Sequence, residues 1–300
     1  MRMAWLALLL SGCSLATFQS KRLDRAYGRA GLEQRDVQVG DTNVRYWVGG
    51  EGEPLVLLHG FGGDAKWSWM NQLALAKNHR LVVPDMVWFG GSHSTRDDFG
   101  LELQLDAVRG VMAYEGIERA DVAGISYGGF VAFYLAFLHP EQVDRLVIVD
   151  SPGPVFTPSD LEESLARFGA GDAADIVIPR DYTGVRTLLE LAYEKPPMTP
   201  PFLLKDVYQT MFTQQVDEKR KLLAELQTVQ PPELWEIRSQ TLVIWGENDA
   251  LFPVDVGRRL TTAIGPHARF VSLPKTRHAP NIEKWKAFNR EVEGFLRRAP

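Results

Sequence analysis

Gly124-Ile125-Ser126-Tyr127-Gly128-Gly129 joins an apolar, strand-like run, Asp121 to Ala123, to an apolar, helix-like run, Phe130 to Leu138. In that setting Gly-x-Ser-x-Gly is a nucleophile elbow. The serine at such a turn takes a strained backbone conformation, so Gly124 and Gly128, two residues to either side, must lack Cβ atoms. The strain exposes the hydroxyl, and the helix that follows points its positive end at the same spot. The Tyr127 amide is then placed to donate to an oxyanion formed beside Ser126. The pattern alone matches many surface turns; the strand before it and the helix after it give it meaning.

A nucleophilic serine needs a base, and the base needs an orienting acid; after an elbow the two follow in the chain as acid, then histidine. Thr241-Leu-Val-Ile-Trp245 reads as a buried strand that runs out into Gly246-Glu-Asn-Asp249-Ala-Leu-Phe-Pro253, which makes Asp249 the candidate acid. The next strand, Ala268 to Leu273, leads into a loop carrying His278 just before the last helix, so His278 is the candidate base. A lone loop histidine is ordinarily a surface residue, and an aspartate after a strand is ordinarily a turn former or helix cap. Their shared position at strand ends outweighs those readings.

The second oxyanion donor is expected from an earlier strand end. Pro54-Leu-Val-Leu-Leu58 followed by His59-Gly60-Phe61-Gly62-Gly63 offers the Phe61 amide, with glycines that let main chain approach a developing negative charge. His59 is expected to be structural, its ring hydrogen-bonded beneath the hole. His79, His93, His139 and His267 lack the i, i+4 or clustered spacing of a metal site, so no metal is implied.

The order His-Gly-Phe-Gly-Gly, Pro84-Asp85, Gly-x-Ser-x-Gly-Gly, Gly-x-x-Asp and His resembles the α/β-hydrolases, over roughly Glu33 to Leu296. Within that superfamily it is similar to the lipase and carboxylesterase branches. The resemblance implies a helix-flanked, mostly parallel sheet of eight strands with a helical cap inserted after strand 6. It also raises a rival acid, Asp150, which closes the run Arg145 to Val149, because some hydrolases of this architecture draw the carboxylate from there. Two positions depart from the pattern: Val87-Trp88 stands where many relatives have Pro-Gly, and Trp285 where the last helix commonly has proline. The first lies on a loop at the carboxyl edge of the sheet, where it could alter the rim of a substrate pocket.

With 300 residues, 45% of them hydrophobic, the chain suits one large α/β domain with an insertion rather than two cores. The net charge of -5 argues against nucleic acid as a partner, and no glycine-rich loop opens a helix in the manner of a nucleotide site. Cofactors are not called for. The N-terminus, Arg2 and then an apolar stretch to Leu10-Ser11-Gly12-Cys13, resembles a bacterial lipoprotein signal whose cysteine is acylated. That stretch is too short to span a bilayer, and Cys13 is the single cysteine of the chain. Residues 1–12 are thus expected to be a signal peptide and 13–31 a tether, removable before Gln19 without harm to the enzyme. Ser14 after the cysteine resembles the pattern sent to the outer membrane, which places the protein in the bacterial envelope; without processing the location would be cytoplasmic.

Eight strands are expected: near 33–39, 44–48, 55–58, 81–83, 121–125, 146–149, 241–245 and 269–273, the first two a hairpin about Gly40-Asp41. Packing helices are expected over 65–78, 101–114, 130–138, 254–264 and 281–298. The core then comprises 32–150 and 237–300. Between them, 151–236 loses the alternation and reads as the cap, with helices starting at Thr157-Pro158 and spanning 185–193, 202–212 and 218–226. Leu188, Leu189, Leu191, Phe202, Leu203, Tyr208, Met211 and Phe212 are candidates to line an acyl pocket above Ser126, although helical spacing makes most of them packing residues.

The length and position of this cap resemble monoacylglycerol-lipase-like members of the superfamily. The implied activity is serine hydrolysis of carboxylic esters, short to medium acyl esters or monoacylglycerols, at a lipid-anchored active site near membrane. A carbon-carbon hydrolase of aromatic ring-cleavage products shares elbow, acid and histidine. A catalytically silent lipoprotein that binds a partner or hydrophobic ligand is the alternative of another class.

Overall fold

The computed structural model describes residues 14–229 and 235–297, so the expected signal peptide and Cys13 lie outside the described residues. The strands are β1 (Leu32–Val39), β2 (Thr42–Gly49), β3 (Glu53–Leu58), β4 (His79–Pro84), β5 (His93–Ser94), β6 (Ala120–Ile125), β7 (Val143–Val149), β8 (Gln240–Gly246) and β9 (Ala268–Leu273). They form one sheet in the order β1-β2-β4-β3-β6-β7-β8-β9, with β5 pairing β2 off that path. β2 is antiparallel to β1, β4 and β5; every other pairing is parallel. The expected eight strands are thus joined by a ninth, β5, whose two residues are too few for any periodicity.

The inner strands read as unbroken apolar runs because both their faces are covered. Side chains alternate between two cores. Val56, Leu58, Val122, Ile148 and Val243 belong to one, and Leu55, Leu57, Ala123, Val147 and Ile244 to the other. Fully burying each such Val, Leu or Ile side chain stabilises the fold by about 1.5–3 kcal/mol.

The helices before the insertion are α1 (Leu15–Arg29), α2 (Ala65–Ser68), α3 (Leu101–Tyr114) and α4 (Tyr127–Leu138). Between β7 and β8 lie α5 (Pro158–Phe168), α6 (Ala173–Val177), α7 (Tyr182–Ala192), α8 (Pro201–Met211) and α9 (Val216–Thr228), followed later by α10 (Val254–Ile264), α11 (Pro280–Glu283) and α12 (Trp285–Leu296). Thr157 and Asp160 start α5 as a reciprocal capping box, and Gly169 ends it in the left-handed region at φ +60°. The third apolar group, Ile176, Leu191 and Leu251, ties α6 and α7 to the loop after β8.

Three expectations are corrected. The helix expected over 65–78 breaks into α2 and a 3-10 turn, Leu73–Lys77, because Trp69, Gln72 and Leu75, three apart, all turn inward. The Gln72 amide donates to the Asn281 carbonyl and to Asn289 Oδ1, both at 2.9 Å, which fixes that path against the C-terminal helices. The helix expected over 281–298 divides at Lys284, whose φ −120° and ψ 36° leave the helical region. The segment expected to be a tether is largely helix α1, docked on the core. Its Tyr27 is fully buried, with its ring centroid 4.8 Å from that of Trp47 and its hydroxyl 3.2 Å from the Ala65 and Lys66 carbonyls. Among the described residues no helix is long and apolar enough to cross a membrane.

Candidate active site

Ser126 sits at φ +53° and ψ −119°, between the end of β6 and the first residue of α4. Its amide donates to the Val149 carbonyl at 2.8 Å and its carbonyl accepts from Phe130 at 3.0 Å, so hydrogen bonds on both sides hold the unfavourable conformation. A Cβ at position 124 would fall on the Gly128 carbonyl, and one at 128 on the Leu58 carbonyl. Tyr127 opens α4, so its amide has no partner within the helix and remains directed at the turn.

The structure brings His278 and Asp249 together, with His278 Nδ1 2.7 Å from Asp249 Oδ2. The other carboxylate oxygen, Oδ1, accepts from the Leu251 and Phe252 amides at 2.8 and 3.1 Å. The Asp249 side chain is fully buried and that of His278 is 11% exposed, so the pair interacts away from bulk water. With Nδ1–H given to Asp249, Nε2 is the nitrogen left free to accept a proton.

Asp150 lies behind this pair. Donor atoms of Asp150, Asp249 and His278 fall within 4.8 Å of one another. Asp150 Oδ1 accepts from the Gly246 amide at 2.7 Å, while Oδ2 is buried without a hydrogen-bond partner. Burial, and then the neighbouring Asp249 charge, push its carboxyl well above the usual range, toward the neutral form. A protonated carboxyl is a poor orienter of imidazole, so it is Asp249 and not Asp150 that holds the His278 ring. The sequence marks Asp150 as a rival acid at a strand end; its neutral character follows only from the burial that the fold imposes.

Phe61 follows β3 on the loop that runs beside the elbow. A Cβ on Gly60 would come within 3.2 Å of Ser126 Cβ, so the loop backbone passes against the serine. The Phe61 ring packs edge-on against Phe89 and Tyr127, with centroids 5.0 and 5.6 Å away. His59 is fully buried beneath it; Nδ1 donates to the Gly60 carbonyl at 2.8 Å and Nε2 accepts from the Met86 amide at 2.9 Å. Burial pulls its pKa down to about 4, which keeps the ring neutral and leaves both nitrogens committed to main chain.

Ser126, Phe61 and Tyr127 form one end of an apolar cavity of about 540 Å³. Phe130 and Tyr134 from α4, Phe156, Leu161, Leu223, Leu226 and Phe252 line the rest. The Phe252 ring also meets His278, with centroids 5.5 Å apart. None of the eight side chains expected from the cap lines this cavity. α7 and α8 pack on one another, and α8 also packs on α1, leaving the wall above Ser126 to α5, α6 and α9. Phe202 is 59% exposed, and Met211 and Phe212 line a smaller cavity instead.

A serine at a strained turn, an imidazole with its acid, a glycine-containing loop passing against the serine and an apolar chamber are the parts of a covalent hydrolase. The family model described as "Alpha/beta hydrolase family" matches residues 55–291. The chain belongs to that family. A 2-hydroxy-6-oxo-6-phenylhexa-2,4-dienoate hydrolase of Comamonas testosteroni is 27% identical over 285 residues, 89% of this chain and 95% of that protein. Lipase 1 of Psychrobacter immobilis is 26% identical over 258 residues, 81% of this chain and 78% of that protein. Among solved structures, a membrane phospholipase A described as a bacterial virulence factor superposes with a TM-score of 0.80 at 26% identity, covering 99% of this chain and 98% of that one. The chain is therefore a hydrolase with both lipases and carbon-carbon hydrolases among its relatives.

Proposed function

We propose that this hydrolase cleaves carboxylic esters with short to medium acyl chains, monoacylglycerols among them, through an acyl-enzyme on Ser126. The observation that carries this reading is the apolar cavity lined by Ser126 and by Phe252, whose ring meets the His278 of the His278–Asp249 pair. The acyl chain occupies the cavity. Ser126 Oγ attacks the carbonyl carbon while His278 Nε2 takes its proton, and Asp249 holds Nδ1–H and stabilises the imidazolium. The Phe61 and Tyr127 amides receive the oxyanion, each such donor being worth about 3 kcal/mol of barrier. The carbon–oxygen bond to the alcohol then breaks as His278 returns the proton to the leaving oxygen. Water, with His278 again as base, attacks the acyl-enzyme, and the acid and free Ser126 are released.

The second reading is hydrolysis of a carbon-carbon bond in ring-cleavage products, favoured by relatives such as the Comamonas testosteroni dienoate hydrolase. A fluorophosphonate probe followed by a substrate panel separates the possibilities. Labelling that disappears in Ser126→Ala is expected; an unlabelled wild-type chain would instead leave a silent binding protein. Graded p-nitrophenyl esters and monoacylglycerols are expected to turn over, and turnover of a dienoate in their place would select the second reading.

For location we propose a lipid anchor at Cys13 in the bacterial envelope, at the outer membrane. The outward face of α1 supports this, since Phe18, Lys21, Arg22, Arg25 and Arg29 are all exposed on it, in a chain whose net charge is -5. Such a basic face with an exposed aromatic ring suits anionic headgroups and adds an electrostatic attraction to the lipid anchor.

A further inference from the structure

A second cavity, of about 110 Å³, lies across Phe61 from the acyl chamber. Phe61 and Val177 line both, so the residue carrying the proposed oxyanion donor stands between a large apolar space and a small one of mixed lining. The smaller cavity has room for a compact head and not for a second acyl chain.

Its lining is unlike that of the acyl chamber. Lys219 stands on its wall, with Asp64, Thr210, Gln214 and Gln215. Lys219 Nζ donates to the Gln214 carbonyl at 2.9 Å and lies 5.2 Å from the centre of the Phe89 ring, which leaves two of its three N–H groups unused. Among the described residues it has no carboxylate within ion-pair distance. Burial lowers its pKa, with Asp64 and Glu218 opposing, as expected of a cation held without a partner. Asp64, the acid on the same wall, accepts from the Trp67 amide at 2.9 Å and is pushed by burial toward its neutral form. Gln215, held at φ +54°, has a buried Oε1 with no hydrogen-bond partner. The cavity thus offers an ammonium with two spare N–H groups beside an acceptor suited to a hydroxyl.

We infer that this cavity receives the phosphate of an anionic leaving group, with Lys219 as its counter-charge and Gln215 Oε1 as acceptor for a glycerol hydroxyl, so that the preferred ester is a lysophospholipid. This rests on the ester-hydrolase reading and narrows it from acyl esters in general to those of a phosphorylated glycerol.

The test compares 1-octanoylglycerol 3-phosphate with 1-octanoylglycerol, which share an acyl chain, on the full-length protein. Wild type is expected to favour the phosphorylated ester in kcat/KM. Lys219→Met, which keeps the stem over Phe89, is expected to lower that preference on the order of 10- to 100-fold, chiefly through KM, as for a lost charge-assisted hydrogen bond. Lys219→Arg is expected to restore most of it, which a merely structural lysine would not predict. An unchanged preference in Lys219→Met overturns the proposal, as does a Lys219-dependent preference for a carboxylate-bearing dienoate over the phosphorylated ester. If neither ester turns over, the ester reading fails and the site is judged separately, by calorimetric titration of Ser126→Ala with octyl phosphate. Binding that weakens when Lys219→Met is added supports the anion site, and absence of binding overturns it.

Discussion

Asp249→Asn and Asp150→Asn are nearly isosteric changes to two buried carboxyls in one cluster, yet the structure sets them far apart in effect. Asp249 Oδ1 accepts two main-chain amides, at 2.8 and 3.1 Å, so an asparagine there keeps its carbonyl oxygen toward them and turns its NH2 group toward His278. The flipped orientation would set that NH2 against two N–H donors. An NH2 group cannot accept the proton on Nδ1, so the imidazole shifts its proton to Nε2 and presents a donor, not a base, to Ser126. Loss of an orienting aspartate in this way lowers kcat by about 10⁴-fold, roughly 5.5 kcal/mol of barrier. Asp150 differs because burial and the Asp249 charge already favour its neutral form. Its Oδ1 accepts from Gly246 at 2.7 Å, a bond an asparagine carbonyl keeps, so Asp150→Asn is expected to change kcat by no more than about 2-fold, within the ±0.5 kcal/mol or so of a change that disturbs no interaction. Steady-state hydrolysis of a soluble p-nitrophenyl ester, with thermal melts to verify folding, measures both. A larger loss in Asp150→Asn than in Asp249→Asn refutes the assignment of the acid, and equal large losses refute the neutral character argued for Asp150.

Ser126→Ala and His278→Ala are each expected to lower kcat by a factor on the order of 10³ to 10⁶ without unfolding the chain, and retained turnover in purified Ser126→Ala would remove the nucleophile from the proposal. Asp85, whose carboxylate accepts from the Ala65 and Gly91 amides at 3.0 and 2.9 Å, is raised to about 7 by burial and then by Asp64. Its folded pKa lies above its unfolded one, so its contribution to stability is complete below about pH 4 and is lost as pH rises to about 7. Denaturant midpoints from pH 4 to 8 are expected to show that decline in wild type and a flatter profile in Asp85→Asn. Cys13→Ser in a bacterial host is expected to abolish palmitate incorporation and to shift protein from the membrane to the soluble fraction; label that persists in the variant argues against an acylated Cys13.

What was legible in the sequence is what local chemistry forces. The elbow declares itself because Gly124 and Gly128 must lack side chains beside a strained serine, and Asp249 and His278 stand on loops that β8 and β9 deliver to one edge of the sheet. Long apolar runs such as Leu55–Leu58 and Leu146–Val149 give the parallel strands directly. What was not legible depends on contacts across the chain. β5 exists through two residues paired with β2, and the break after α2 exists because Gln72 reaches Asn281 and Asn289. The apolar chamber draws on α5, α6 and α9 rather than on α7 and α8, a choice set by how cap helices pack on each other. The smaller cavity joins a loop after β3 to a lysine of α9, a pairing no spacing rule encodes. The docking of α1 did leave a trace: Ala16, Leu23 and Tyr27 recur at helical intervals inside an otherwise polar segment, and all three are buried.

That trace changes where a soluble form should begin. Ser14 caps α1 by accepting from the Thr17 amide at 2.9 Å, and the Ala16 amide donates to Asp206 of α8 at 2.7 Å. Lys66, at the start of α2, reaches Ser20 and Asp24 of α1 at 2.7 and 2.6 Å, so one helix bridges the core and the cap. A cut before Gln19 removes the cap residue and the bond to α8, contrary to the expectation that this segment is dispensable, whereas deletion of 1–12 touches neither. Deletion of 1–30 also removes Tyr27, whose buried ring is worth about 3–5 kcal/mol on the scale of large aromatic truncations. At about 2–4 °C per kcal/mol for a domain somewhat smaller than this one, Tm is expected to fall by roughly 10 °C. The chain lacking 1–12 is expected to melt with the full chain and to hydrolyse dissolved esters as fast. The shorter form is expected also to lose activity on those same dissolved esters, because α8 and the cap helices packed on it lose their fixed attachment to the core. A chain beginning at residue 31 that melts within about 2 °C of the full chain and keeps its turnover would show that α1 carries no part of the fold's stability, and that the segment is a tether after all.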